Sequence, residues 1–255
     1  MQLKSILLAV LLSSSIAALA QESTTEETTP GISKNFIKVN LTSLPLKNFH
    51  LQYERVLSKR VSIAIGGRYM PTSTIPFKSL VIKAIGDDDQ DTKDLIEKSQ
   101  IGNFAITPEV RFYLGKGYGK GFYIAPYYRY ANFSTNTITL NFSETNGPSR
   151  SLNLNGEMSG HTGGIMFGAQ WFLGKTITLD WWIIGAHYGT GKGIFTGTPS
   201  TPFTPGEQAD IRQTLEDIDV PLIDKTVSVS PNNVTVKTDG AFGGLRGGIL
   251  LGVRF

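Results

Sequence analysis

The fold is decided by the stretch RGGILLGVRF, residues 246–255. Side chains of a β-strand point alternately to its two faces, so an alternating sequence divides into two sets. One set here is apolar and the other is mainly glycine and arginine: Ile249, Leu251, Val253 and Phe255 against Arg246, Gly248, Gly252 and Arg254. A membrane-spanning β-strand has this pattern, because one face meets lipid and the other faces the interior of a closed sheet.

The same alternation recurs upstream of this stretch. Each segment has apolar residues at every second position, with polar or small residues between them. The predicted strands cover residues 36–41, 49–54, 61–68, 103–114, 122–130, 164–173 and 177–184. With the final stretch they make eight strands. In the segment 177–184, the alternation places Asp180, Trp182 and Ile184 on the same inward face.

The connections between these strands alternate between short and long. Three strands end alike, on a leucine followed by Gly or Ser and then Lys, at residues 57–59, 114–116 and 173–175. Short turns are predicted at 57–60, 115–121 and 173–176, and long excursions at 71–100, about 134–158 and 190–240. This asymmetry is typical of an outer-membrane barrel. We therefore predict an all-β fold over residues 34–255, an eight-stranded antiparallel up-and-down transmembrane β-barrel with short periplasmic turns and long outer loops.

Pro108 and Pro126 oppose this reading, because proline cannot donate a hydrogen bond to a strand ladder. They lie on neighbouring predicted strands, at similar distances from the 115–121 turn. We therefore expect a local bulge at this point of the sheet.

Residues 1–20 have the pattern of a cleaved signal peptide. Lys4 supplies a positive start, residues 6–12 are an unbroken apolar run, and Ala18-Leu19-Ala20 is a small-x-small cleavage site. Residues 21–33 are polar and predict a disordered linker. The mean hydropathy of −0.06 gives no sign of a membrane helix. Mean hydropathy does not detect the strands of a membrane barrel, because only alternate residues of each strand face lipid.

Charge and cysteine content exclude several classes of function. The formal net charge is +3 and there is no run of basic residues, so we expect no nucleic-acid partner. Cysteine is absent. This excludes disulfides, thiolate metal sites, cysteine nucleophiles and the lipid-modified cysteine of a bacterial lipoprotein.

The chain resembles the small eight-stranded barrels of the OmpA/OmpX type. It is more similar to uncharacterised outer-membrane barrel families whose strands carry segments like Pro108–Tyr113 and Tyr127–Tyr130. Phe255, Val253 and Leu251 also resemble the C-terminal assembly signal of bacterial outer-membrane proteins. The resemblance implies the bacterial outer membrane as location, and lipid, lipopolysaccharide and the barrel-assembly machinery as partners. The resemblance does not extend to the peptidoglycan-binding domain of the OmpA pattern, so we expect no cell-wall tether.

The inward face of the predicted strands collects ionisable side chains. These are Lys38, Glu54, Arg68, Glu109, Arg111, Arg129, Asp180, Arg246 and Arg254. Buried charges need partners, and an eight-stranded barrel is just wide enough for side chains to fill it. We therefore predict a polar network that plugs the interior, with Glu54, Arg111 and Asp180 at similar depth. The alternative is that these groups line a narrow ion or solute path.

Other candidate sites are weaker. The spacing Gly115-x-Gly117-x-Gly119-x-Gly121 could suggest a phosphate loop, but a strand follows where a helix would be needed, so it predicts a turn. His161 near Ser159, and His187 near Thr190, could suggest a lipid hydrolase, but no nucleophile elbow or metal-ligand spacing accompanies them. Residues 87–91 and 207–219 could bind a cation or a partner. We interpret both as acidic surface, the second on a short helix with Ile211, Leu215 and Ile218 on one face.

The sequence thus predicts a non-enzymatic barrel with a structural or surface-interaction role. No catalytic, cofactor-binding or metal-binding residue is predicted. The alternatives are a narrow channel for small or hydrophobic solutes, a lipid-modifying enzyme of the outer membrane, and a component of a secretion or assembly machine. A soluble barrel of the lipocalin type is the main structural rival, and it would point its apolar face inward.

Overall fold

The computed structural model describes residues 34–85, 97, 99–115, 117–143, 149–218 and 220–255. The predicted signal peptide (1–20), the predicted linker (21–33) and the acidic run at 87–91 lie outside the described residues.

Strands dominate the described part of the chain, which also contains two α-helices and a short 3-10 helix at Leu44–Leu46. The strands are β1 (Asn35–Asn40), β2 (Phe49–Val56), β3 (Val61–Thr74), β4 (Gln100–Tyr113), β5 (Gly121–Ser143), β6 (Ser149–Leu173), β7 (Ile177–Gly197), β8 (Ile223–Ser230) and β9 (Asn233–Arg254). The helices are α1 (Lys78–Ile85) and α2 (Pro205–Asp217).

The strands form one antiparallel up-and-down sheet that closes on itself. Strands β1 to β7 pair in sequence order, β7 pairs with β9, and β9 pairs with β1. The ring is completed where Asn35 and Phe255 exchange backbone hydrogen bonds of 3.0 and 2.9 Å. Among the described residues eight strands make the ring, as the alternation predicted, and β8 is a ninth strand that pairs with the far part of β9.

The two ends of the ring differ. The turns that follow β2, β4 and β6 lie together at one end, which we call the turn end. The opposite, loop end is more ordered than the sequence predicts, because β5, β6, β7 and β9 continue into the regions expected to be excursions. These extensions are rich in Ser, Thr and Asn, which are typical of loops. In β6 the alternation nevertheless continues, because Leu152 and Leu154 are buried while Asn153 and Asn155 are exposed.

The loop-end extension has its own apolar core. Ile211 and Leu215 of α2 pack with Phe203, Val229 and Val234. Thr204 begins the helix with a capping box, in which it exchanges hydrogen bonds with Glu207. The predicted helix is thus present, although Ile218 follows its last turn and is exposed rather than packed. No helix within the described ranges is long and apolar enough to cross a membrane.

The predicted faces are largely as expected, with apolar side chains outward and polar ones inward. Ile184 is an exception, and its predicted inward position is wrong. The pairing of β7 shifts by one residue between Trp182 and Gly185, so Ile183 and Ile184 are both exposed. A β-bulge of this kind exchanges the two faces of the strand beyond it. It leaves His187 among the residues that line the interior.

The bulge expected at Pro108 and Pro126 does not form. Strands β4 and β5 keep the same register from Ile106 paired with Tyr130 to Tyr113 paired with Tyr123. Pro108 lies opposite Tyr128, and Pro126 lies opposite Val110. Neither of these two pairs appears in the ladder. Both prolines therefore remove pairs from the same β4–β5 ladder. The register of this ladder is kept because the other edges of β4 and β5 remain paired with β3 and β6.

Candidate functional site

A cluster of charged side chains lies buried inside the ring, towards its turn end. It contains three carboxylates and three basic groups, contributed by five different strands: Lys38 (β1), Glu54 (β2), Glu109 and Arg111 (β4), Asp180 (β7) and Arg246 (β9). Their side chains are 0–5% exposed. We call this set the charge cluster. With every group ionised its charges cancel.

Arg111 is the centre of the charge cluster. Its Nη1 lies 2.7 Å from Asp180 Oδ2 and 3.1 Å from Glu54 Oε2. Its Nε donates to Glu109 Oε1 at 2.7 Å, and its Nη2 donates to Gln52 Oε1 at 2.9 Å. The planar guanidinium can serve several acceptors at once, so one side chain joins carboxylates from three strands.

Lys38 occupies a second position between the same carboxylates. Its ammonium group donates to Asp180 Oδ2 at 2.8 Å and is also bonded to Glu54 and to Gln170 Oε1. Glu54 and Asp180 are therefore each shared by Lys38 and Arg111. Sharing of this kind provides the partners that buried ions need to offset the loss of water.

Neutral groups satisfy the remaining carboxylate oxygens. Glu54 Oε1 accepts from Ser62 Oγ at 2.5 Å and from Tyr113 OH at 2.7 Å. Asp180 Oδ1 accepts from Tyr123 OH at 2.7 Å. Gly168 makes room for that ring, because a Cβ at this position would lie 2.3 Å from Tyr123 Cζ. The glycine that alternates with Gln170 on β6 is thus a packing requirement of the cluster.

Arg246 extends the charge cluster towards the loop end. Its Nη1 donates to Glu109 Oε2 at 2.7 Å. Its guanidinium carbon lies 3.8 Å from the ring centre of Trp182 and 5.1 Å from that of Tyr127. Stacking on aromatic faces stabilises a cation that has little contact with water.

The glycine-rich turn closes the turn end of the ring. Gly119 accepts a 2.8 Å hydrogen bond from Gln170 Nε2 and lies against the buried side chains of Phe36 and Val56. Gly117 and Gly119 have φ of 84° and 79°, a backbone conformation that favours glycine. The predicted turn is present. The sequence did not indicate that it folds back against the interior.

The structure divides the predicted inward charges into three groups. Six of them meet in the charge cluster: Lys38, Glu54, Glu109, Arg111, Asp180 and Arg246. Arg68 and Arg129 line a pocket at the loop end. Arg254 lies apart at the turn end, where it donates to the carbonyl groups of Lys175 and Gly174. Sequence reasoning missed Gln52, Ser62 and Gln170 as partners, although each lies at an inward position of the alternation.

The two histidines that could suggest a hydrolase lie on different faces of the ring wall. His161 is exposed on the outer face, where its Nδ1 lies 2.5 Å from Tyr128 OH. His187 contacts Tyr127 ring to ring. The described residues also contain no group of three or more His, Cys, Asp or Glu side chains that could hold a metal ion.

Comparison with known proteins places the chain in a family. No curated protein matches the sequence. A family described as "Protein of unknown function (DUF3575)" matches residues 6–192 of the 255, which is more than half of the chain. The match ends within β7, before α2, β8 and β9. The chain therefore belongs to the DUF3575 family of proteins of unknown function.

Proposed function

We propose that this protein is a non-enzymatic β-barrel of the bacterial outer membrane, with a structural or surface-interaction role and an interior plugged by side chains. The observation that carries the proposal is the pairing of two features in one closed ring. The outward face is apolar and exposed, and the inward face holds the buried charge cluster. A lipocalin-like soluble barrel has the opposite arrangement.

The dimensions of the apolar face support a transmembrane position. Along β4, apolar outward residues run from Phe104 to Leu114. Ten residue steps of about 3.3 Å, tilted by about 40°, span about 25 Å, which is the height of the apolar band of an outer-membrane barrel. Exposed aromatic side chains occur at both ends of this face: Phe112, Phe122, Trp171 and Phe255 towards the turn end, and Phe49, Tyr69 and Tyr128 towards the loop end. These positions fit the two interfacial girdles.

The interior favours a plug over a channel. Within the described residues, the charge cluster joins five strands of the ring, and Tyr113, Tyr123 and Met166 are buried beside it. The glycine-rich turn adds a further layer at the turn end. A continuous water path would need the buried ion pairs to separate, which is costly in an interior of this kind.

The proposal names two kinds of partner. Membrane lipid and lipopolysaccharide would contact the outward face. The barrel-assembly machinery would recognise the end of β9 together with Phe255, which follows it. Leu251, Val253 and Phe255 are exposed on the outer face along the closing seam. The folded extension at the loop end, with α2 and β8, would project from the membrane. It supplies the surface for interaction with other molecules.

Fractionation and conductance test the proposal together. Expressed in a Gram-negative host, the protein should require detergent for extraction and should migrate differently on gels before and after heating. In planar bilayers it should give no stable conductance steps. Recovery in the soluble fraction without detergent would overturn the membrane assignment. Regular conductance steps from the purified protein would overturn the plug and support the channel.

A further inference from the structure

A pocket of about 550 Å³ lies at the loop end of the ring interior, beyond the charge cluster. Its lining includes Arg68 of β3, Arg129 of β5 and Arg246 of β9, so we call it the arginine pocket. Arg129 and Arg246 are only 6% and 8% exposed. The volume lies within the range of pockets that hold small ligands, about 300–1,000 Å³.

The arginine pocket has more positive charge than the described residues neutralise. Arg246 is paired with Glu109. No described carboxylate forms an ion pair with Arg68 or Arg129, and Arg129 makes a 3.5 Å contact with Thr107 Oγ1. Since the charges of the cluster below cancel, two guanidinium groups remain uncompensated in this part of the interior. Buried charge without a partner is strongly unfavourable.

Hydrogen-bond donors in the pocket also lack partners. Arg68 Nε, Arg246 Nη2 and Trp182 Nε1 are buried and form no hydrogen bond. Guanidinium and indole nitrogens can only donate. His50, which is 5% exposed, adds an unpartnered Nδ1 to the same pocket. Asn48 Oδ1 is an unpartnered acceptor in the same lining. The donors and positive charges outnumber it, so an occupant must supply mainly negative charge and acceptors.

We propose that the arginine pocket binds a phosphate group. A phosphate monoester carries a charge of about −1.5 to −2 near neutral pH, which balances the two uncompensated arginines. Its oxygens accept the paired N–H groups of guanidinium well. The group could belong to a free phosphate or phosphate ester, or to the headgroup of a lipid. This inference goes beyond the proposed function, and it does not depend on the membrane assignment.

A gap in the ring wall gives a lipid headgroup a route to the pocket. Strand β1 pairs with β9 from Leu250 to Arg254, and β8 pairs with it from Asn233 to Gly240. Between these two pairings, residues 243–247 of β9 have no strand partner on that side among the described residues, and all five line the arginine pocket. Exposed Leu46, Leu222 and Leu245 surround this gap. An amphiphile could keep its apolar part outside while its phosphate reaches the arginines.

The test uses purified protein in a phosphate-free detergent and two probes, inorganic phosphate and a short-chain phosphatidic acid. Binding is measured by isothermal titration at constant ionic strength. Arg68→Met or Arg129→Met should weaken binding by about tenfold or more, because each removes a charged hydrogen-bond donor. Arg254→Met is the matched control at the turn end and should bind as the wild type does. Unheated gel mobility verifies that each variant is folded.

Urea unfolding is a second measurement, and it distinguishes an arginine that binds a ligand from one that only stabilises the fold. Without a probe, Arg129→Met should unfold at higher urea concentration than the wild type, because an uncompensated buried charge is gone. At the same probe concentration, the midpoint of the wild type should rise more than that of the variant, because stabilisation by a ligand depends on its affinity.

Binding of inorganic phosphate supports a site for free phosphate compounds, and binding of phosphatidic acid alone supports a headgroup site. The proposal is overturned if neither probe binds. It is equally overturned if Arg254→Met weakens binding as much as Arg129→Met does.

Discussion

Arg111 Nη1 and Asp180 Oδ2 lie 2.7 Å apart inside the ring, although their strands β4 and β7 are not neighbours in the sheet. The contact crosses the interior and connects β4 directly with β7. Otherwise these two strands are connected only through the strands that lie between them in the sheet. Both side chains are fully buried, so their charges need partners inside the ring. Lys38 also contacts Asp180, and Glu54 and Glu109 also contact Arg111.

Removing either partner of this pair should be strongly destabilising. Arg111→Met and Asp180→Asn should each lower the free energy of unfolding by about 3–5 kcal/mol, because the charge cluster is left with one buried charge that nothing balances. The double variant should lose less than the sum, as coupled residues do. Urea unfolding in lipid vesicles measures all three. Lys192→Met removes an exposed ion pair with Asp239 and should cost less than about 1 kcal/mol. Strict additivity of the two buried substitutions would show that Arg111 and Asp180 are not coupled.

Gly168 should tolerate no side chain. In Gly168→Ala the new Cβ would lie 2.3 Å from Tyr123 Cζ and 2.9 Å from the carbonyl oxygen of Trp181. The tyrosine must then move from Asp180, so we expect a loss of about 1–3 kcal/mol in unfolding experiments. Gly163 on the same strand has open space at this position, and Gly163→Ala is the control. Equal stability of the two variants would contradict the packing role of Gly168.

Closure of the ring should depend on Phe255. Deleting it removes both backbone hydrogen bonds with Asn35, and Phe255→Asp keeps the backbone but replaces an exposed apolar side chain. Both changes should leave unfolded protein in the periplasm if the side chain contributes to assembly. Phe255→Tyr should assemble normally. Protease resistance of the ring in cells is the measurement. Wild-type amounts of resistant protein in the deletion variant would show that Phe255 is dispensable.

The capping box of α2 should stabilise the loop-end extension locally. Thr204→Ala removes a side-chain acceptor for the backbone N–H of Glu207, which should cost about 1 kcal/mol. Because the ring has its own buried interior, limited proteolysis should cut the extension sooner while the ring stays intact. The exposed Ser228→Ala on β8 is the control. Faster cleavage throughout the ring would show that the two parts unfold together.

Strand alternation was enough to predict much of the charge cluster. Glu54, Glu109, Arg111 and Asp180 lie on inward faces, because their strands alternate strictly between the two faces from the turn end to these residues. Alternation does not tell which strands face each other across the interior, so the contacts of Lys38 with Gln170 and Asp180 required the closed ring. The register of each strand is set by its pairing with both neighbours around the closed sheet. It therefore cannot be read from the sequence of one strand.

Predictions failed where the period was broken or hidden. The bulge after Trp182 adds one residue and so reverses the faces of Ile184 and His187. Ile183 and Ile184 are both apolar, so the sequence gives no sign of which residue is extra. The arginine pocket was also not predicted. The pocket depends on the separation of Arg68 and Arg129 from the carboxylates along the axis of the ring. Strand alternation predicts which face a side chain is on, but not its position along that axis.

The central claim is that the apolar outer face meets lipid while the interior does not, and adjacent tryptophans report on both. Trp181 is 45% exposed on the outer face, and Trp182 is 3% exposed in the interior. Two single-tryptophan variants, with phenylalanine at the other tryptophan positions, can be reconstituted in vesicles of lipid brominated on the acyl chains. We predict strong quenching of Trp181 fluorescence and weak quenching of Trp182 fluorescence. Equal quenching of the two, or no quenching of Trp181, would contradict the account.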